Sequence, residues 1–284
     1  MLETVRNAFK LKEIRSRIIY TLLMLVVVRI GTQLPVPGVN GNYFSEWFSG
    51  NSGSAFGFFD AITGGSFEKM SVFALNITPY ITSSIIIQLL TIAIPKLEEL
   101  QKDGEEGRKK MTAITRYLTV ALALMESLAM AIGFGRSGLL IEFNALNVIT
   151  TVVTLTAGST VIMWIGERIT ENGVGNGISI VLTINIISRI PQDLTLLFEQ
   201  FVKGKEIAFQ VLNLAIIIAV IIAVTVLTVA LQGAERRIPV QYSRKVQGRK
   251  QVGGQTSHIP LKVNTAGVIP IIFAQSLFMF PLII

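Results

Sequence analysis

Apolar residues in this chain come in long runs separated by short polar breaks, and the run length matches a bilayer rather than a soluble core. A helix rises 1.5 Å per residue, so crossing the hydrocarbon takes about 20 predominantly apolar residues. Such runs predict spans over 18–34, 72–94, 114–134, 146–165, 178–190 and 209–231, and a seventh from about 264 to the last residue, Ile284. Pro35 and Pro37 close the first run, Pro79 lies inside the second, and Pro191 follows the fifth. Residues 57–70 (GFFDAITGGSFEKM) are amphipathic but too short to cross, which predicts a re-entrant or interfacial segment. The other breaks read as loops: a charged one at 95–113, a Gly-rich one at 166–177, a mixed polar stretch to about 208 and a long basic one at 233–262. The expected fold class is all-α, a polytopic helical membrane protein with about seven spans.

Composition supports this reading. Of 284 residues, 51% are hydrophobic and only 15% charged, with a mean hydropathy of +0.60. A soluble domain carries about 25% charge, so most soluble globular folds are excluded, and a disordered chain and a collagen are excluded outright. The positive head and first apolar run look like a signal peptide, but no small-x-small cleavage site follows and Arg29 sits late in the run, so a retained span is expected. The chain stops on FPLII with no polar flank, which predicts a fragment of a longer protein.

The net charge of +7 could point to nucleic acid or to lipid headgroups. Its distribution favours topology. With seven spans the loops alternate sides, and 19 Lys and Arg fall on the side of the N-terminus against 5 on the other. By the positive-inside rule, the N-terminus and the 95–113 and 233–262 loops are expected in the cytoplasm.

The chain has no Cys and a single His, His258, so it can hold no disulfide, thiol nucleophile or Cys/His zinc site. No phosphate-loop, zinc-protease or nucleophile-elbow motif is present. An enzyme, a metal and a cofactor are therefore not expected. His258 has no nearby acid and reads as a solvated loop residue. The stretch GVGNG (173–177) could cradle a phosphate, but at the entry to a span it reads first as a tight turn.

Polar groups inside spans are costly in lipid and so more informative. They are Asn76, Thr78, Thr82, Ser83, Ser84 and Gln88 in the second run, Glu126 in the third, Asn185 in the fifth and Asn264 at the start of the seventh. Interhelical hydrogen bonding accounts for Ser and Thr. Glu126 needs a partner or an aqueous path. Ile77 and Ile81, like Leu182 and Ile186, are i, i+4 pairs on one helix face, and spacing alone does not separate an apolar constriction from an apolar core. The basic loop offers Arg236, Arg237, Arg244, Lys245, Arg249 and Lys250 either to anionic lipids or to an anionic docking partner. Its length favours a binding role.

Six stretches in fixed order resemble the SecY family, the channel subunits of the bacterial protein translocase. They are RIGTQLPVPGVN (29–40), FALNITPYITSSIIIQLL (73–90), RKKMTAITRYLT (108–119), MWIGERITENGVGNGISI (163–180), ERRIPVQYSRKVQGR (235–249) and HIPLKVNTAGVIPIIFAQS (258–276). That family has about ten spans in two pseudosymmetric halves. The chain resembles the first half over 1–208 and the start of the second over 209–284.

The resemblance implies a passive, gated, protein-conducting pore in the cytoplasmic membrane. Residues 57–70 match a plug, with Phe58, Phe59, Ile62, Gly64, Gly65 and Phe67. Ile77, Ile81, Leu182, Ile186 and Ile272 match a sealing ring that closes by dewetting. Gln88, Glu126 and Asn264 match lateral-gate positions. The 233–262 loop matches the one that docks the SecA motor or the ribosome. The implied partners are SecE, SecG, secretory precursors with their signal peptides, and anionic lipids, with no nucleic-acid site beyond ribosomal RNA contact. Two rival classes remain at this stage. One is a secondary transporter in which Glu126 and Asn185 bind substrate or protons, and the other is a structural membrane scaffold.

Overall fold

A computed structural model describes residues 10–41, 46, 55–204, 206–240, 245–247, 250–252, 257–265, 267, 270, 271 and 274. Its main helices are α1 (Lys12–Gly31), α2 (Ala55–Thr63), α3 (Thr78–Ala93), α4 (Pro95–Lys102), α5 (Gly104–Gly133), α6 (Ala145–Asn172), α7 (Gly177–Phe201) and α8 (Ile207–Gly233). Among the described residues α5, α6, α7 and α8 are each long and apolar enough to cross a membrane, and α3 with α4 makes a fifth candidate bent by 105°. α1 carries Lys12, Glu13, Arg15, Arg17 and Arg29 and is not among them. Most of the expected seventh run lies outside the described residues.

Three expectations about boundaries are corrected. The second run does not become helical until Thr78; residues 72–77 form successive turns, with Asn76 left-handed at φ 51°. Pro79 therefore sits in the first turn of α3 rather than in its interior, where its missing N–H costs no helix bond. The charged stretch 95–113 is helical rather than a loop. Its Glu and Lys are good helix formers, and Glu98 and Lys102 pair at i, i+4 over 2.6 Å. Finally, α7 continues through Pro191 to Phe201. A proline inside a membrane helix is tolerated when neighbouring groups satisfy the carbonyl it frees.

The chain forms two compact units, residues 1–191 with 273–284 and residues 192–272. In the first, one apolar cluster gathers Val36, Phe59, Phe67, Met70, Leu75, Ala123, Met130, Leu139 and Leu155. A second gathers Val28, Phe73, Ile77, Ile162, Ile165, Ile169 and Val181. Both bring the turns after α2 against long helices. At Gly158 of α6, a Cβ would run into the carbonyl of Val72, so only glycine allows that approach. Polar side chains stitch the helices together as the sequence suggests. Ser83 meets Thr119 at 2.6 Å between α3 and α5, and Ser127 meets Thr156 at 3.0 Å between α5 and α6. Arg116 reaches Glu167 at 2.8 Å.

The second unit holds the end of α7, then α8, then two small antiparallel ribbons. β1 (Glu235–Val240) pairs with β4 (Ser257–Lys262), and β2 (Lys245–Gln247) with β3 (Lys250–Val252). The basic stretch expected as a loop is thus partly stranded. Pro239 and Pro260 fit because both strands of a two-stranded ribbon are edges.

Candidate functional site

The sequence of α2, AFGFFDAIT, places one charge in nine residues that cannot span. Both properties are resolved by insertion among the long helices. On one side, Phe59 and Phe67 meet edge to face with centroids 5.0 Å apart and join the cluster containing Ala123 and Met130 of α5 and Leu155 of α6. On the other side Asp60 is wholly buried. Its Oδ1 accepts the Glu68 backbone N–H at 2.8 Å and the Thr63 hydroxyl at 3.4 Å, and its Oδ2 pairs with the guanidinium of Arg189 on α7. Arg189 also reaches Glu68 at 3.4 Å.

A second tie lies one turn earlier on α7. Asn76 donates through Nδ2 to the Ile62 carbonyl at 3.4 Å and accepts from Asn185 Nδ2 at 3.2 Å. Asn185 Oδ1 in turn accepts from Arg29 of α1 at 3.4 Å. Between the ties, Gly64 (φ 70°) packs so closely that a Cβ would lie 2.6 Å from the Asn185 carbonyl. Asn185 and Arg189 are i, i+4 and share one face of α7. That face is the seat of residues 57–77.

The expected plug residues Phe59 and Phe67 are buried, Ile62 is half-buried, and Gly64 and Gly65 are left-handed. Phe58 lies on α2, its side chain outside the described set. Of the expected ring, Ile77 is fully buried in the second cluster, with Ile81 and Leu182 packed against it. Ile186 is not brought into that group and is 46% exposed. Ile272 lies outside the described residues. Gln88 is exposed on α3 and Glu126 half-buried on α5. In the second unit, Asn264 accepts the Gly267 N–H at 3.0 Å.

Arg236 and Arg237 are exposed on β1; Lys245 and Lys250 lie on β2 and β3, their side chains outside the described set, as are Arg244 and Arg249 altogether. His258 is exposed on β4. The GVGNG stretch is a turn, and the Gly173 N–H donates to the Ile169 carbonyl at 2.7 Å. Val174 N–H donates to Thr21, Gly177 N–H to Thr170, and those of Ile178 and Ser179 to Asn176.

The sequence reading did not single out Asp60 or Arg189. A signal existed: each is the only residue of its sign in an apolar helix. Asn185 was noted as a possible ligand, but its amide oxygen and nitrogen are both taken within the protein.

The model of the SecY family matches residues 71–284. The chain is 42% identical to the protein translocase subunit SecY of Halalkalibacterium halodurans, over 99% of this chain and 66% of that protein. It is 42% identical to that of Pseudomonas aeruginosa, over 95% and 61%. The chain belongs to the SecY family. It spans about two-thirds of the length of the curated SecY relatives it matches. A solved protein-conducting channel shares the fold with a TM-score of 0.61 and 21% identity, covering 95% of this chain and 57% of that one. Sec61 in the canine ribosome–channel complex does so at 0.60 and 20%, covering 95% and 58%. In a third, a SecY structure at 0.58 and 20%, the plug domain stabilises the closed state of the translocation channel. SecY-family membership and the apolar helices together make this a multi-pass helical membrane protein.

Proposed function

We propose that this chain supplies the larger part of a gated channel that passes unfolded secretory proteins across the cytoplasmic membrane and releases signal or transmembrane segments sideways into lipid. The observation that carries the reading is the segment 57–77. Its helix α2, nine residues long, is too short to span, yet the segment is held against long helices by apolar contacts on one side and polar ties to α7 on the other. A stopper needs this combination of insertion and separate attachment, whereas a scaffold helix would simply pack. It also suits the name that one SecY relative's corresponding domain carries.

In this reading residues 1–208 are the first half of the channel and 209–284 the start of the second. Ile77, Ile81, Leu182, Ile186 and Ile272 form the seal, and Gln88, Glu126 and Asn264 line the lateral exit. The chain provides a path rather than chemistry, so energy comes from a SecA-type motor or the ribosome, docked on Arg236, Arg237, Arg244, Lys245, Arg249 and Lys250. SecE and SecG complete the complex. The N-terminus faces the cytoplasm, on the strength of the 19 to 5 Lys/Arg division.

The test is reconstitution of the chain with the motor, SecE and the remaining spans, followed by translocation of a secretory precursor. Deletion of 57–70 is expected to raise ion leak. Unchanged conductance overturns the reading.

A further inference from the structure

We propose that Asp60 and Arg189 form a releasable ionic latch that sets how readily the inserted segment leaves its seat; this rests on the channel reading above for its purpose, though not for its test. The apolar side of the segment, through Phe59 and Phe67, would hold it in any register that buries the rings. The ionic side fixes one register, because Asp60 is wholly buried and meets the guanidinium of Arg189 there. Glu68, at the far end of the following turn, reaches the same guanidinium and closes the loop around it.

A buried ion pair is a poor way to add stability, because two charges must be stripped of water and their attraction barely offsets that cost. The same arithmetic makes the pair suitable for release. Once the segment lifts, Asp60 and Arg189 are both rehydrated and the desolvation cost is recovered. An apolar pair of equal size would recover nothing on exposure. Removing one partner alone is different. It strands the other charge in the seat, and the seated state loses its advantage.

The ties at Asn76 and Gly64 lie one turn away, against Asn185, which Arg29 also holds, and supply alignment. The latch is thus confined to one helical turn of α7, and a disturbance of that turn acts directly on the segment.

The test uses the absence of cysteine, which makes any introduced thiol a unique label. Ser66→Cys places a nearly isosteric thiol in the fully buried turn after α2, and Ser83→Cys places one in the buried α3–α5 contact. The protein is held in lipid nanodiscs and labelled with an impermeant maleimide. Asp60→Asn and Arg189→Gln are each expected to raise the labelling rate at position 66 at least tenfold and leave position 83 protected. The double variant Asp60→Asn/Arg189→Gln is expected to label more slowly than either single one, since it strands no charge. Unchanged labelling in both single variants overturns the latch. So does a double variant whose increase equals the product of the two single increases, because the residues then act independently. So does equal exposure of position 83, because the pair then holds the whole bundle. Conductance is read separately on the same variants. More labelling with no added leak keeps the latch and removes the channel reading.

Discussion

α6 and α8 are both spans by length and apolarity, yet they are used differently. In α6, 44% of the most apolar stretch is buried, and Gly158 lets a turn backbone touch it. In α8 none is buried, although it is the more apolar helix. In lipid, apolarity no longer reports which face is inside, because hydrocarbon is as apolar as a leucine side chain. What marks the packed helices here is small and polar residues at contact points: Gly158, Ser127 with Thr156, Ser83 with Thr119, Asn76 with Asn185. The threonines of α8, Thr225 and Thr228, instead bond to carbonyls of their own helix at 2.7 and 2.8 Å.

The sharpest way to break this contrast is volume. Gly158→Leu drives a side chain into the Val72 backbone, which cannot move aside as a flexible side chain would. The expected result is a loss of several kcal/mol and little folded protein by thermal unfolding in detergent. Ala219→Leu on α8 adds the same kind of bulk where it meets nothing among the described residues, and its melting temperature is expected to stay within a degree or two. Equal losses at both sites would mean that α8 is packed as α6 is.

Polarity separates two members of the proposed ring. Ile77 is wholly buried and Ile186 is 46% exposed on α7. Ile77→Asn is expected to cost about 2–5 kcal/mol, combining lost burial with an unpaired amide, and to lower yield. Ile186→Asn is expected to leave yield intact and to raise ion leak in the reconstituted channel. If both only lower yield, neither lines a pore.

Much of the fold could be read from the chain. The runs at 146–165 and 209–231 fall inside α6 and α8, and the segment too short to span packs against α5, α6 and α7. The prolines misled for a physical reason. A proline forbids an N–H bond and constrains the residue before it, but that constraint suits the first turn of α3 at Pro79 and is absorbed within α7 at Pro191. The site was the least legible part. Asp60 alone looks like the polar face of an amphipathic piece, and Arg189 alone looks like a charge at a span's end. Their meaning is a contact between residues far apart in sequence, which no local pattern contains. Asn185 was legible as costly, but its partner across the seat was not.

Backbone strain gives a smaller effect and tests the seat itself. Gly64→Ala puts a Cβ at φ 70° and within 2.6 Å of the Asn185 carbonyl. Left-handed strain and this contact together are expected to cost about 1–3 kcal/mol. Gly204→Ala, with φ 82° but open space around it, carries the strain alone and is expected to cost about 1 kcal/mol. A cost at Gly64 no larger than at Gly204 would mean that the turn does not rest on α7.

The smallest effect concerns the hydrogen bonds that distinguish packed from unpacked helices. Ser83 meets Thr119 at 2.6 Å across the α3–α5 contact, and both are fully buried. Ser83→Ala removes one hydroxyl and leaves that of Thr119 its bond to the Thr115 carbonyl at 2.7 Å. Because the remaining partner is still satisfied, the loss should be near the average for interhelical bonds in membranes, about 0.6 kcal/mol. Thr225→Val on α8 removes a hydroxyl bonded only within its own helix, and replaces it with a methyl that lipid accepts. Its expected cost is about zero. The measurement is a pair of unfolding titrations in mixed micelles, repeated with Thr119→Val and with the double variant, so that the Ser83–Thr119 coupling is isolated from the separate costs. A coupling indistinguishable from zero would show that polar contacts merely accompany packing in this bundle and do not select which helices pack.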